Sequence, residues 1–160
     1  DIKPENIGIG ENRKRALTLK LFDFSLSRAP LDNIRAGTPP YLDPFLVNRL
    51  PARWDLHAER FAAGMTLYEL ATGTLPTWGS AGQDPASSDE EASLDVERFD
   101  ASVRDALATF FARVLHRDHT RRFDNADEMY LAWKDFLGSR ATRDKRKRDK
   151  CELNSDTHPT

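Results

Sequence analysis

Asp1-Ile2-Lys3-Pro4-Glu5-Asn6 opens the sequence, and Asp23-Phe24-Ser25 answers it seventeen residues after Asn6. Between the two clusters Ile7, Ile9, Leu17, Leu19 and Leu21 recur at every second position on either side of a polar turn, Gly10-Glu11-Asn12-Arg13. That period belongs to a strand and not to a helix, so the stretch reads as a β-hairpin that carries the clusters at its two ends. The residues so gathered are a carboxylate (Asp1), an ammonium (Lys3), an amide (Asn6) and a second carboxylate (Asp23). Phosphoryl transfer asks for that set. One carboxylate orients the attacking hydroxyl, the cation sits near the transferred phosphate, and an amide oxygen and a carboxylate hold magnesium.

Further stretches follow in a fixed order. Gly37-Thr38-Pro39-Pro40-Tyr41-Leu42-Asp43-Pro44-Phe45 comes first, then Glu59-Arg60-Phe61-Ala62-Ala63-Gly64 running on to Pro76, then Leu115-His116-Arg117-Asp118-His119-Thr120-Arg121-Arg122-Phe123. With the opening clusters, this series resembles eukaryotic-type protein kinases in their catalytic loop, metal-binding motif, end of the activation segment, buried central helix and late arginine-bearing loop. The resemblance implies an α+β fold: a protein-kinase-like large lobe over 1–138, mostly α-helical with a small catalytic β-hairpin, and a basic, polar, disordered tail or linker over 139–160. It also implies roles. Asp1 is the catalytic base; Lys3, two residues on, marks serine/threonine rather than tyrosine kinases and neutralises charge on the moving phosphoryl; Asn6 and Asp23 hold the metal; Thr38 hydrogen-bonds near Asp1 and Lys3. The implied cofactors are ATP and Mg2+, and the implied partner is a protein with a Ser or Thr hydroxyl. Asp23-Phe24-Ser25-Leu26-Ser27-Arg28 and the Gly37–Phe45 stretch are also similar to kinases of bacterial phage-defence systems of the BREX type.

The departures from the family pattern carry their own expectations. Ser25 stands where glycine is usual, which narrows the backbone freedom of the metal motif. Phe45 replaces the glutamate expected to pair with Arg122, so either Arg122 is exposed or Asp43, Asp118 or Asp124 takes it over. Glu59 replaces the aspartate that braces the catalytic loop from the central helix, with Asp55 the poorer substitute. These three changes support an alternative, a pseudokinase that binds or scaffolds without catalysis. From Leu26 to Ala36 the only hydroxyl is Ser27, so a mid-loop phosphate acceptor is lacking. In the family a small lobe with a glycine-rich loop and a phosphate-binding lysine precedes the catalytic loop. The expectation is therefore a piece of a longer parent, inactive alone and partnered by the rest of that chain.

Composition sets the outer bounds. A chain of 160 residues, 39% hydrophobic, with nine Phe and three Trp can bury a real core. The formal charge of -2 hides an acidic stretch around 84–100 and seven Lys or Arg between 140 and 150; the latter reads as solvated linker, with no nucleic-acid partner expected. Cys151 stands alone in the polar tail, no apolar run approaches the roughly 20 residues that span a bilayer, and the cytoplasm is the expected location. Residues 79–95 carry almost no apolar side chains and read as a mobile loop. Val103, Leu107, Phe110, Phe111, Val114 and Leu115 mark one amphipathic helix. Met129, Trp133, Phe136 and Leu137 mark another, capped by Asn125. Trp54 and Trp78 read as packing residues.

Overall fold

The computed structural model describes residues 1–80, 83–136 and 138. Ala81-Gly82, Leu137 and the 139–160 tail with Cys151 and its basic run lie outside the described residues.

Alternation at the start of the chain produces the hairpin. Strand β1 (Ile7–Glu11) pairs antiparallel with β2 (Leu17–Leu21), in a register that sets Ile7 opposite Leu21, Ile9 opposite Leu19 and Glu11 opposite Leu17. The turn lies two residues later than expected, at Asn12–Arg15. The Asn12 side chain accepts the amides of Lys14 (2.8 Å) and Ala16 (3.1 Å), and Arg15 turns the chain in the left-handed region, φ 59°. Because the register puts all five apolar side chains on one face, that face stands open: Ile9, Leu17 and Leu19 are each more than 70% exposed.

Helix α1 (Leu56–Thr72) is the hub. The Asp55 carboxylate accepts the Ala58 amide at 2.9 Å and caps its start. Its residues are apolar nearly all round, and Phe61, Met65 and Tyr68 are buried with Ala58 and Ala62. Helix α2 (Arg104–Val114) crosses it at Gly64, where an added Cβ would fall 2.7 Å from a Val114 methyl, so only glycine admits this approach. A third helix, α3, covers 126–136; Asn125 accepts the Glu128 amide at 2.8 Å as its cap. Phe99, Phe110, Phe111, Phe123, Trp133 and Phe136 interlock between these helices, mostly edge to face.

The α-helical share is smaller than the large-lobe reading anticipates. Among the described residues, seven single 3-10 turns link the longer elements, and four of them begin with proline: Pro4–Asn6, Pro39–Tyr41, Pro44–Asn48 and Pro85–Ser87. Proline starts a turn well, and each of these runs stops within a turn or so. Of the expected mobile loop over 79–95, the stretch 85–95 is anchored. Ser93 bridges to Thr77 (2.7 Å), the Asp95 amide donates to the Tyr68 hydroxyl (2.7 Å), and the Arg117 guanidinium donates to the carbonyls of Pro85 (3.0 Å) and Glu90 (3.1 Å). Few apolar side chains were needed, since backbone groups and one arginine anchor the segment. No helix among the described residues is long and apolar enough to cross a membrane.

Candidate active site

The catalytic turn hangs on α1. Thr66, 1% exposed, shares its hydroxyl proton between the carbonyls of Ile2 (3.0 Å) and Ala62 (2.9 Å), which fixes the backbone next to Asp1. The turn Pro4–Asn6 then closes through the Asn6 amide onto the Lys3 carbonyl at 3.0 Å. Chain reversal at the hairpin returns Phe22 to this point, where its amide donates to the Asn6 carbonyl at 2.8 Å. Asn6 and Asp23 thereby both come to line one cavity at the open end of the hairpin.

Asp1, Lys3 and Thr38 form one network. The Asp1 carboxylate accepts the Thr38 amide at 3.0 Å and the Thr38 hydroxyl at 3.1 Å, and the Lys3 ammonium lies 3.1 Å from it. Lys3 also donates to the Thr38 hydroxyl at 2.7 Å. The side chains of Lys3 and Asp1 keep 21% and 12% of their surface, so the network is sheltered yet reachable. Gly37 admits this geometry: its φ is 136°, and an added Cβ would lie 2.7 Å from a Leu42 methyl.

Asn6 donates through Nδ2 to the Asp1 carbonyl at 2.9 Å, which leaves its amide oxygen without a partner among the described residues. Asp23 is exposed and sits in the left-handed region, φ 55°. The Ser25 hydroxyl, then the Ser25 amide at 3.1 Å, hold its carboxyl below the usual range, so it is ionised at neutral pH. A cavity of about 350 Å3 joins these groups, lined by Asp1, Asn6, Asp23, Phe24, Trp54 and Glu59 among others. No three His, Cys, Asp or Glu side chains gather into a metal site among the described residues. An oxygen pair from Asn6 and Asp23 instead suits a cation such as Mg2+, which is commonly held by one or two carboxylates and completed by phosphate and water.

The two bracing residues fare differently. Glu59 is exposed, lines the cavity and makes no side-chain hydrogen bond or ion pair among the described residues; Thr66 supports the turn instead. A threonine inside an apolar helix was the available signal, and nothing local says which carbonyl it reaches. Arg122 is 2% exposed and takes Asp43 with both terminal nitrogens (2.6 and 3.2 Å), while its Nε donates to the His116 carbonyl at 2.6 Å. Asp43 also receives Arg49, which reaches on to Asp55 at 2.6 Å. Phe45 fills the vacated place as a ring: Arg117 lies 4.7 Å from its centroid, and Arg122 lies 4.7 Å from that of Phe61. Tyr41 and Glu69 also escaped the sequence reading. The Tyr41 hydroxyl donates to Glu69 at 2.5 Å, and burial together with that carboxylate pushes the phenol well above its usual value.

Comparison with known proteins points the same way as the geometry. The family model for the protein kinase domain matches residues 1–133. A protein of Streptomyces coelicolor named probable kinase PglW is 42% identical over 147 residues, covering 89% of this chain and 9% of its own length. Human death-associated protein kinase 2 is 30% identical over 126 residues, 76% of this chain and 34% of the relative. The mouse serine/threonine-protein kinase DCLK3 is 27% identical over 159 residues, 93% and 19% respectively. The chain thus spans from about a tenth to a third of the length of these relatives.

Proposed function

The chain belongs to the protein kinase domain family, and on that premise we propose that it is the large lobe of a cytoplasmic serine/threonine kinase and carries that kinase's catalytic residues. The observation that carries this reading is the Asp1–Lys3–Thr38 network beside a cavity that Asp1, Asn6 and Asp23 line together. Asp1 accepts the proton side of a substrate Ser or Thr hydroxyl and orients its oxygen. Lys3 keeps a positive charge beside the place where phosphate charge builds up, and Thr38 holds both in register. The Asn6 oxygen and the Asp23 carboxylate are the groups suited to hold Mg2+. When bound, ATP with Mg2+ supplies the phosphoryl group and neutralises its charge.

A catalytically silent binding module is the second reading, and the lack of any bond from Glu59 to the catalytic turn favours it. Against that stand Thr66, which supplies a brace, and Asp43, which supplies the carboxylate missing at Phe45. The test is phosphate transfer by the full-length protein, followed by identification of the phosphorylated amino acid. Asp1→Asn and Asp23→Ala should each lower turnover by orders of magnitude with folding preserved, since positioning and charge carry most of this catalysis. Product on tyrosine alone would overturn the serine/threonine assignment, and unchanged turnover in either variant would overturn the site.

A further inference from the structure

Residues 24–37 connect the metal-binding Asp23 to Thr38, and their own hydrogen bonds are short-range. Ser27 bonds back to Phe24, Ala29 to Leu26, Asn33 to Pro30 and Ala36 to Asn33, each at 3.0 Å. Such turns shape a segment without attaching it to anything. Apart from the bonds of Ser25 to its neighbour Asp23, two hydrogen bonds among the described residues attach it to the rest of the fold, and both come from Trp54. Its backbone amide donates to the Leu31 carbonyl at 2.7 Å, and its indole N–H donates to the Asn33 carbonyl at 3.2 Å.

The anchor itself is fixed. Trp54 directly precedes Asp55, whose carboxylate caps α1 and takes the Arg49 guanidinium at 2.6 Å. The same helix holds Ile2, and hence the backbone beside Asp1, through Thr66. From Asn33 the Ala36 amide leads within two residues to Thr38, whose amide and hydroxyl rest on Asp1. Helix α1 therefore holds one partner of the catalytic network through Thr66, and the residue before its cap, Trp54, holds the segment that leads to the other. The indole also lines the cavity that contains Asp1 and Asp23.

We infer that Trp54 is a positioning residue: its indole N–H pins residues 31–33 to the start of α1 and so sets where Thr38 meets Asp1 and Lys3. The catalytic part of this inference rests on the kinase reading above, whereas the pinning of the segment does not. Trp54→Phe keeps an aromatic ring and the backbone amide while removing the indole N–H together with the pyrrole half of the bicycle. The loss of volume acts on packing around Trp54, whereas loss of the N–H frees the Asn33 carbonyl, so the cut after Arg35 reports the bond.

The experiment uses the full-length protein and limited trypsin digestion, because Arg28 and Arg35 are exposed within the segment and Arg13, Lys14 and Arg15 in the hairpin turn provide an internal reference. Trp54→Phe should cut after Arg35 about fivefold faster, the effect of losing one modest hydrogen bond, with the hairpin cut unchanged. The same variant should lose kcat while its KM for ATP stays near wild type. Cutting after Arg35 at the wild-type rate, or an equal rise at the hairpin turn, would overturn the clamp. Faster cutting with unaltered kcat would overturn the positioning role. A wild-type protein that transfers no phosphate would count against the kinase reading, and the tryptic comparison would still decide the clamp.

Discussion

At the scale of single residues, Asp43 and Phe45 show how a buried guanidinium finds its carboxylate at a different position from the one expected. A buried guanidinium needs a carboxylate; Arg122 obtains one two residues earlier, and the vacated position becomes a ring between Arg117 and Phe61. Removing one partner of a buried, hydrogen-bonded pair costs about 3–5 kcal/mol, so Asp43→Ala should lower unfolding free energy in urea by that order. Adding Phe45→Glu to that variant should recover part of the loss by restoring a carboxylate within reach of Arg122. A loss below about 1 kcal/mol, within the range of exposed pairs, would mean the contact is not a brace. The sequence left Arg122 either exposed or paired with Asp43, Asp118 or Asp124, with Asp43 the nearest substitute in sequence; it did not decide between burial and exposure. Asp118 is committed to a local turn by accepting the Thr120 amide at 2.9 Å, and that only coordinates reveal.

Among elements, the helix start at Asp55 and the segment after Asp23 are the two whose chemistry can be tested separately. Burial pushes the Asp55 carboxyl up, but the Ala58 amide and the Arg49 guanidinium outweigh it and hold it below its usual value. A carboxyl depressed by folding contributes stability that is complete above its unfolded value near 3.8 and fades as pH falls through the lower folded value. Asp55→Ala should therefore cost about 1 kcal/mol at neutral pH and show a shallower loss of thermal stability below pH 4 than wild type. Parallel acid limbs in the two proteins would contradict this. The segment at 24–37 is tied down by Trp54 with no phosphate involved, and Ser27 is exposed near the metal motif. Phosphatase treatment of the full-length protein should leave its initial rate unchanged, and Ser27→Ala should match wild type; loss in both, restored by rephosphorylation, would show a switch. Periodicity revealed the hairpin and three helices. It missed the turn at Asn12–Arg15, which side-chain capping decides, and the anchoring of 85–95, which depends in part on Arg117, 27 residues in sequence from Glu90 and 32 from Pro85.

For the molecule as a whole, the open hairpin face and the composition of the site set a test of whether this chain transfers phosphate by itself. Ile9, Leu17 and Leu19 expose most of their surface on one side of a two-stranded sheet, continuous with Ile7 and Leu21, which line the cavity. Contiguous apolar surface next to a ligand cavity is costly to leave in water and marks a face made to be covered. The cavity also offers Asn6 and Asp23 for a cation but no glycine-rich Gly-x-Gly-x-x-Gly loop to wrap phosphates, a pattern found nowhere in the 160 residues. Long-range pairings such as Thr66 with Ile2 cannot be seen in sequence, yet the missing phosphate loop can. The isolated chain should accordingly give no transfer from labelled ATP with Mg2+ to a generic basic protein, while the full-length protein does. Ile9→Thr and Leu19→Thr should change the stability of the isolated chain by less than about 0.5 kcal/mol, as exposed substitutions do, and yet lower full-length activity severalfold. Incorporation by the isolated chain that disappears in Asp23→Ala would show that these residues suffice without a covering lobe; wild-type full-length activity in the two threonine variants would show that nothing needs to rest on the hairpin face.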